Sequence, residues 1–159
     1  MSKIESMRDQ KFVFGSILIV SNMMDTLLDR ELKEYGLTAK QWFMTVVIEN
    51  TFDSPPTIKE VARAMGSSHQ NVKQVALKLQ TKGLLTLEKD KNDARVTRLR
   101  LTDQSQAFSQ SIQSKAARFT QSLFAGTKPE DMAKARAILS AMMSNLIDMD
   151  SLISDEEAE

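Results

Sequence analysis

One predicted helix begins with a group of side chains suited to binding nucleic acid. Glutamine and asparagine amides can pair bidentately with adenine, a serine hydroxyl can bind a base or a phosphate, and lysine attracts phosphate. No acidic residue lies between Gly66 and Thr86. Because a recognition helix presents its first turns to base edges in the major groove, this position suits base reading. The seven candidate residues are Ser68, His69, Gln70, Asn71, Lys73, Gln74 and Lys78.

A β-hairpin with a basic tip is predicted to follow this helix. Residues 85–87 and 96–101 alternate as strands, and the polar stretch 89–94 joins them. An arginine at such a tip could enter a narrow minor groove, and Asp93 could hold the Arg95 guanidinium in position. The alternative is an ordinary surface hairpin whose acidic and basic residues pair with each other. The candidate residues of the hairpin are Lys89, Lys91, Asp93, Arg95 and Arg98.

Charge is distributed unevenly along the chain, although the 159 residues carry no net charge. Residues 59–100 contain ten basic and four acidic residues, a net charge of +6. Residues 1–36 and 37–58 carry −1 each, and residues 101–159 carry −4. A basic block between such flanks is typical of a polyanion-binding module set between scaffold helices. A solvated charged face would give the same count, so charge alone leaves both interpretations open.

The composition argues against an enzyme. The chain has no Cys and a single His, which excludes disulfides, thiolate metal sites and a multi-histidine metal cage. No glycine-rich phosphate loop and no HExxH-like arrangement occurs in the sequence. Asp25 and Asp29 are paired at i and i+4, but such pairs more often mark a solvated or polar interhelical face. We therefore predict no catalytic residue, no metal and no cofactor.

Two short helices joined at Gly66 are predicted to position the candidate residues. Thr57 with Glu60 forms a capping box that starts the first of these helices, and Ser67 or Ser68 starts the second. Two short helices with a tight glycine-containing turn match the helix-turn-helix pattern. A hairpin appended to that unit makes a wing.

Long helices are predicted at both ends of the chain. The first runs from Arg8 to about Glu34, and its apolar residues cover more than one face. A helix of about 27 residues is about 40 Å long, more than a domain of this size can cover, so we expect it to pack against a second chain. Thr102 and Pro129 are expected to begin the fifth and sixth helices. The inward-facing residues of the sixth are predicted to be Met132, Ala135, Ile138, Leu139, Met142, Leu146 and Met149.

The N-terminal apolar stretch is not expected to enter a membrane. No run of eighteen apolar residues occurs, and polar residues such as Ser16, Asn22 and Asp25 interrupt the stretch. We therefore expect a soluble, cytoplasmic protein without a membrane span or a cleaved secretory signal.

Several stretches of the sequence together carry a family resemblance. Val61–Gly66, then Ser68 and Val72–Leu85, form one such stretch; Leu37–Trp42 forms a second, and Asp93–Arg95 with Arg98–Thr102 forms a third. In order and spacing these stretches resemble motifs of the MarR family of transcriptional regulators. The first resembles that family's helix-turn-helix, the second the opening of its second helix, and the third its wing. The resemblance covers nearly the whole chain.

The resemblance implies a fold that is mainly α with a small β-hairpin wing. It is a winged helix-turn-helix flanked by N- and C-terminal dimerisation helices. Residues 1–36 would form the N-terminal dimerisation helix, 37–102 the DNA-binding lobe, and 103–153 the C-terminal dimerisation helices. Residues 154–159 would form an acidic disordered tail.

The resemblance also implies a function. It indicates an obligate homodimer that binds a pseudo-palindromic double-stranded DNA operator, as a repressor. Ser68, Gln70, Asn71, Lys73 and Gln74 would then face the major groove and Arg95 the minor groove. An alternative function is a winged-helix protein–protein interaction module that does not read DNA directly.

A small apolar or aromatic effector between the dimer region and the DNA-binding lobe is a further expectation from the resemblance. Met24, Trp42 and Phe43 are the candidate pocket residues, although residues of these types more often belong to a core or a dimer interface. The sequence departs from some branches of the family, because a chain without Cys cannot sense peroxide by thiol oxidation. A single His also argues against a His-rich metal sensor.

Overall fold

The computed structural model describes residues 9–156, and the side chains of residues 9–150. Residues 1–8 of the predicted N-terminal helix segment, including Arg8, and residues 157–159 of the predicted tail lie outside this range. The chain forms two compact units, Met1–Lys115 and Ala116–Glu159. The elements in chain order are α1 (Asp9–Leu32), a 3₁₀ turn (Lys33–Tyr35), α2 (Ala39–Thr51), α3 (Ile58–Met65), α4 (His69–Thr81), β1 (Leu85–Lys89), β2 (Thr97–Leu101), α5 (Asp103–Leu123) and α6 (Pro129–Glu156).

Local signals in the sequence start and stop the helices of the first unit. The capping box at Thr38 is confirmed, because its Oγ1 accepts a hydrogen bond from the Gln41 amide at 3.3 Å and the Gln41 side chain accepts from the Thr38 amide. Thr57 and Glu60 form the same reciprocal pair at the start of α3. These pairs satisfy amide donors that have no partner within the helix. The Thr57 amide bond is also the main reason why the pKa of Glu60 lies below its usual value.

The core of the first unit lies between α2, α3, α4, the hairpin and the start of α5. Its largest fully buried side chains come from each of these elements, and all of them are apolar. They are Met44, Val61, Val72, Leu79, Leu85, Leu99 and Ile112. The strands β1 and β2 are antiparallel, with Leu85 opposite Leu101 and Leu87 opposite Leu99. The predicted fold class, a helical protein with one β-hairpin, is confirmed.

Three boundaries differ from the predicted ones. Lys89 was assigned to the hairpin tip but is the last residue of β1, and Val96 precedes β2 rather than beginning it. The helix α6 continues to Glu156, so residues 154–156 are helical rather than part of a disordered tail. The sequence of residues 151–156 contains no glycine or proline that would stop a helix, and the helix continues through this stretch. The assignment of dimerisation and DNA-binding segments remains a prediction.

Two helices leave much of their apolar surface exposed. On α1 the exposed large apolar residues are Phe12, Val13, Phe14, Leu18, Ile19, Val20, Met23 and Leu27. On α6 they include Ile138, Leu139, Met143, Leu146 and Met149, so within the single chain the predicted inward orientation of this helix is wrong for most of the residues named. Helical spacing placed these residues on a common stripe, but spacing does not reveal what covers the stripe.

The stretch Asp9–Tyr35 is also long and apolar enough to cross a bilayer, with a mean hydropathy of 1.4 in its most apolar window. This property follows from length and composition alone. An apolar helix that packs against another protein chain meets the same criterion, so the finding does not separate the two environments.

The hairpin is anchored to the loop between α2 and α3 through Arg98 and Asp90. The Arg98 guanidinium donates to an Asp90 carboxylate oxygen and, at 2.9 Å, to the Pro55 carbonyl. The other Asp90 oxygen accepts the Asn92 and Asp93 amides at 2.8 and 3.1 Å. Next to Arg98, the Leu99 amide donates to the Pro56 carbonyl at 2.8 Å. Asp90 therefore fixes both the turn of the hairpin and its attachment to the rest of the unit.

The Asp90 contacts predict an acid-sensitive hairpin. The hydrogen bond from Arg98, followed by the two amide bonds, lowers the pKa of Asp90 from 3.8 to about 2. A carboxylate whose pKa is lowered by folding stabilises the native state above its unfolded pKa, and this stabilisation is lost as the pH falls through the folded pKa. The free energy of unfolding of the protein should therefore exceed that of Asp90→Asn by a constant amount above about pH 4. This difference should shrink as the pH falls towards 2.

The measurement is urea unfolding followed by circular dichroism at each pH, at one protein concentration. Asp53→Asn serves as the matched control, because Asp53 is exposed and no hydrogen bond to its side chain is found within residues 9–150. A difference between the protein and Asp90→Asn that stays constant down to pH 2 would show that this carboxylate is not held as described.

Candidate nucleic-acid interface

The turn between α3 and α4 sets the direction in which α4 leaves the core. Gly66 ends α3 with a left-handed φ of 58°, and its amide donates to the Ala62 and Arg63 carbonyls. The Ser67 amide also donates to the Ala62 carbonyl, at 2.9 Å. This pattern of bonds closes the helix and needs a residue that tolerates positive φ, which glycine does at no steric cost. The helix-turn-helix predicted from the position of Gly66 is thus formed.

Ser68 is the residue that begins α4. Its Oγ accepts a hydrogen bond from the Asn71 amide at 3.2 Å, which decides between the two predicted caps in favour of Ser68. The hydroxyl proton of Ser68 is not used in this bond, so it can still be donated to a phosphate or a base.

All seven residues predicted to bind nucleic acid on α4 are exposed, from Ser68 to Lys78. The opposite face of the helix is buried by Val72, Ala76 and Leu79. Because the buried and exposed residues alternate with helical periodicity, packing against the core holds the polar residues outside it. The structure places all seven candidate residues of this helix and its cap outside the core.

The exposed residues of α4 divide between two directions. Asn71, Gln74 and Lys78 line a cleft of about 300 Å³ that faces α1 and the start of α2. The Asn71 side chain also donates to Ser67 Oγ at 2.8 Å, so one of its amide hydrogens is already bound. Gln70 and Lys73 do not line this cleft and are exposed outside the buried stripe, at the helical spacing i and i+3.

Leu77 was not among the predicted site residues. It lies seven residues, or about two helical turns, after Gln70, and it is 45% exposed. An apolar side chain on a base-reading face can contact the methyl group of thymine. Its position on the same helical face was available from the sequence, but an apolar residue in a helix is more often assigned to the core.

Arg95 occupies the outermost part of the hairpin. Its side chain is 92% exposed, and its guanidinium donates to both Asp93 carboxylate oxygens, at 3.1 and 3.3 Å. The backbone amide of Arg95 binds the same carboxylate at 3.0 Å. These bonds lower the pKa of Asp93, the guanidinium being the main cause. The contact between Asp93 and Arg95 predicted from the sequence is present, and it orients the guanidinium without burying it.

The other two arginines of the hairpin are also paired with acids. Arg98 binds Asp90, as described above, and the Arg100 Nε donates to both Glu88 carboxylate oxygens at 3.0 Å. The Arg100 bond is the main reason why the pKa of Glu88 is lowered. Pairing of acidic and basic residues, which the sequence allowed as an alternative, therefore takes place.

The net positive charge of residues 59–100 therefore comes from basic residues other than these three arginines. Three of the four acids in this segment are matched one to one with an arginine, and the fourth, Glu60, caps α3. The remaining basic residues are Lys59, Arg63, Lys73, Lys78, Lys82, Lys89 and Lys91. The lysines of α4 and of the hairpin thus supply most of the positive potential.

The three candidate pocket residues differ in their surroundings. Met24 and Trp42 are half-buried, and Phe43 is exposed. The cleft at the start of α2 is lined mainly by polar residues, such as Asp25, Asp29, Lys40 and Gln41, and by none of these three. Within the described side chains, no group of three or more potential metal ligands is found.

Comparison with known proteins gives a family match and a fold match. Residues 35–96 match the family model of the MarR family. The fold is similar to that of MepR from S. aureus, solved as a DNA complex, with a TM-score of 0.76, 20% identity and coverage of 88% of this chain and 99% of MepR. AbsC, a MarR family transcriptional regulator from Streptomyces coelicolor, gives a TM-score of 0.77 and 17% identity, covering 89% of this chain and 97% of AbsC.

A third similar structure is the organohalide-sensing transcriptional regulator RdhR in its 2,4-dichlorophenol-bound form. Its TM-score is 0.76 at 15% identity, covering 91% of this chain and 85% of RdhR. At these identities the structural likeness establishes the fold, and the family model matches 62 of the 159 residues. Residues 35–96 of this chain thus match the model of the MarR family, and the helix-turn-helix with its β-hairpin has the fold of these solved structures.

Proposed function

We propose that the protein is a sequence-specific, double-stranded DNA-binding repressor that acts as a cytoplasmic homodimer on a pseudo-palindromic operator. The observation that carries this proposal is the exposed surface of α4, where amides and lysines lie outside the buried stripe of Val72, Ala76 and Leu79. The match of residues 35–96 to the MarR family model and the similarity of the fold to the DNA-bound MepR support the same function.

The two parts of the interface would contribute differently to binding. Gln70, Asn71 and Gln74 carry amides that can read base edges, so they contribute sequence preference. Ser68, His69, Lys73 and Lys78 can contact phosphates or bases on the same helix. On the hairpin, Lys89 and Lys91 contribute affinity for phosphate, and Arg95, oriented by Asp93, would enter the minor groove. Arg98 holds the hairpin in place through Asp90, so its contribution would be indirect.

The exposed apolar faces support the homodimer. On α1, residues such as Phe14, Leu18 and Met23 are more than half exposed in the single chain, and α6 carries a second apolar set. A contiguous apolar surface of this kind marks an interaction site in a soluble protein. A second copy of the chain would cover these faces, and a two-fold axis would place two α4 helices about 34–36 Å apart, one turn of B-DNA.

We further propose that a small apolar or aromatic effector releases the protein from DNA. RdhR, whose fold is similar, was solved with 2,4-dichlorophenol bound. Met24 and Trp42 are half-buried, and Phe43 offers an exposed ring, so these three residues could contact such a molecule. A ligand that binds one arrangement of the helices more tightly than another would shift the protein towards that arrangement.

A protein–protein interaction module is the second candidate function. The exposed Leu77 in the middle of α4 favours it, because an apolar residue can also pack against a partner protein. Such a module would bind duplexes of any sequence weakly and without base preference. The experiments below separate the two functions.

The first prediction concerns salt. If about four basic residues of each subunit contact phosphates, a dimer forms eight contacts, and the slope of log affinity against log salt should be about −7. Lys73→Gln should reduce the magnitude of this slope by about 2, since two contacts are lost per dimer. Lys33→Gln, in the 3₁₀ turn outside the interface, should leave it unchanged. Fluorescence anisotropy with labelled duplex DNA measures the slope, and a value near zero would contradict DNA binding.

The second prediction separates affinity from specificity. Arg95→Ala should weaken binding to all duplexes by a similar factor, because its proposed contact is with the minor groove. Gln70→Ala should cost about 1–3 kcal/mol at the base pair that it reads and so relax the preference there. Binding selection from a random duplex library, followed by sequencing, compares the variants. Identical base preferences for the two variants would refute this division of roles.

The third prediction concerns the homodimer. Leu18 is 54% exposed, and Leu18→Glu would bury an unpaired charge in the proposed dimer interface, which costs about 3–5 kcal/mol. The dimer dissociation constant should therefore rise by about 100-fold or more. Leu77→Glu makes the same change on α4 and should leave the protein dimeric. Sedimentation equilibrium reports the masses. A monomeric protein that instead partitions onto lipid vesicles would place the α1 apolar face in a membrane.

A further inference from the structure

The start of α2 is bound to α1 by a side chain from outside the helix. The Asp29 carboxylate of α1 accepts a hydrogen bond from the Ala39 amide at 2.6 Å. Ala39 is buried and is the first residue of α2, so its amide has no acceptor within that helix. A negative charge at this position also interacts favourably with the helix dipole. This bond joins the start of α2 to α1.

The end of α4 is bound to the same place. The Lys82 ammonium, one residue after α4, donates to the Gly36 carbonyl and, at 2.8 Å, to Gln41 Oε1. Gln41 is only 5% exposed, and its Oε1 also accepts the Thr38 amide in the capping box. We call the set Asp29, Gly36, Ala39, Gln41 and Lys82 the α2 junction. It joins α1, α2 and α4 through side-chain hydrogen bonds.

The length of α4 makes the α2 junction important for geometry. The helix has 13 residues and is therefore about 20 Å long. Its base-reading residues lie at the N-terminal end, whereas the α2 junction holds the C-terminal end. A rotation of about 10° around the α2 junction would move the first turn of α4 by about 3 Å, given a rise of 1.5 Å per residue. This displacement is close to the rise of one base pair, about 3.4 Å.

We propose that Asp29 and Lys82 set the separation of the two α4 helices in the dimer, and so determine which half-site spacing the protein accepts. They are positioning residues, because they act through α2 and α4 and contact no DNA. The inference rests on the proposed function, since α1 supplies the dimer interface and α4 reads the DNA. Loss of either residue would leave the α4 surface intact but free to adopt several separations.

Asp25 provides a matched control for Asp29. It lies one turn earlier on α1 and lines the same cleft, yet no hydrogen bond to its side chain is found within residues 9–150. Asp25→Ala therefore removes the same charge without breaking the α2 junction. Asp29→Asn keeps an oxygen that can accept the Ala39 amide, so it should behave like the unsubstituted protein. Lys33→Met is the corresponding control for Lys82→Met.

The experiment measures spacing preference with DNA. The unsubstituted protein first selects its duplex from a random library, and the selected half-sites are then separated by one or two base pairs more or fewer. Asp29→Ala and Lys82→Met should reduce the discrimination between spacings by at least about fivefold, within the range of typical coupling between sites. The base preference within each half-site should not change. Asp25→Ala, Asp29→Asn and Lys33→Met should retain the original discrimination.

A second measurement needs no DNA. The chain has no Cys, so His69→Cys gives one labelling site per subunit at the first residue of α4. The distance between two nitroxide labels in the dimer, measured by pulsed electron resonance, should shift or broaden by about 3 Å or more in the Asp29→Ala background. The distribution of this distance should stay narrow in the Asp25→Ala background. Circular dichroism confirms that each variant is folded.

The outcomes distinguish this inference from the function on which it rests. A shifted distance in a dimer that selects no duplex would support the role of the α2 junction and contradict DNA reading. Suppose that the protein binds DNA and that Asp29→Ala and Asp25→Ala have the same label distance and the same spacing preference. This result would overturn the inference and leave the proposed function standing. A monomeric protein would overturn both.

Discussion

The rotation of α4 about its own axis is the constraint on which the candidate interface depends. Val72, Ala76 and Leu79 recur with helical spacing and are almost completely buried. Full burial of a valine or leucine side chain contributes about 1.5–3 kcal/mol, whereas an exposed amide or lysine has no comparable preference for one orientation. The buried stripe therefore decides which residues of α4 face solvent. Gln70 and Lys73 are exposed because the burial of the apolar stripe leaves them outside the core.

Leu85 and Leu99 hold the hairpin in the core, whereas the exposed side chains of the hairpin are organised by charge. Each of its three acids holds one arginine, and Asp90 uses both carboxylate oxygens to bind the turn and Arg98. The pairs Asp93–Arg95 and Glu88–Arg100 are exposed and contribute little to stability, but they restrict side chains that would otherwise be mobile. Holding a group in its binding orientation reduces the entropy lost on association. Arg95 is oriented by Asp93 in this way and still presents an almost fully exposed guanidinium.

The features that the sequence predicted correctly are those that depend on neighbours along the chain. The capping boxes at Thr38 and Thr57 and the turn at Gly66 each involve residues within four positions of one another. The bond between Asp93 and Arg95 spans two residues. The features that were missed join distant parts of the chain. Arg98 reaches Pro55 and Lys82 reaches Gln41, contacts that no local pattern of residue types encodes.

The amino-acid sequence by itself determined the order of the helices and the hairpin, the polar start of α4 and the basic block of residues 59–100, since periodicity, capping and charge are local properties. Only the tertiary structure decided that Leu77 faces outward, that Asp90 anchors the hairpin and that Asp29 and Lys82 meet at the start of α2. It also showed that the apolar stripes of α1 and α6 are exposed in the single chain. The physical reason is that burial and long-range hydrogen bonds depend on which elements pack together, and one sequence pattern is compatible with several packings.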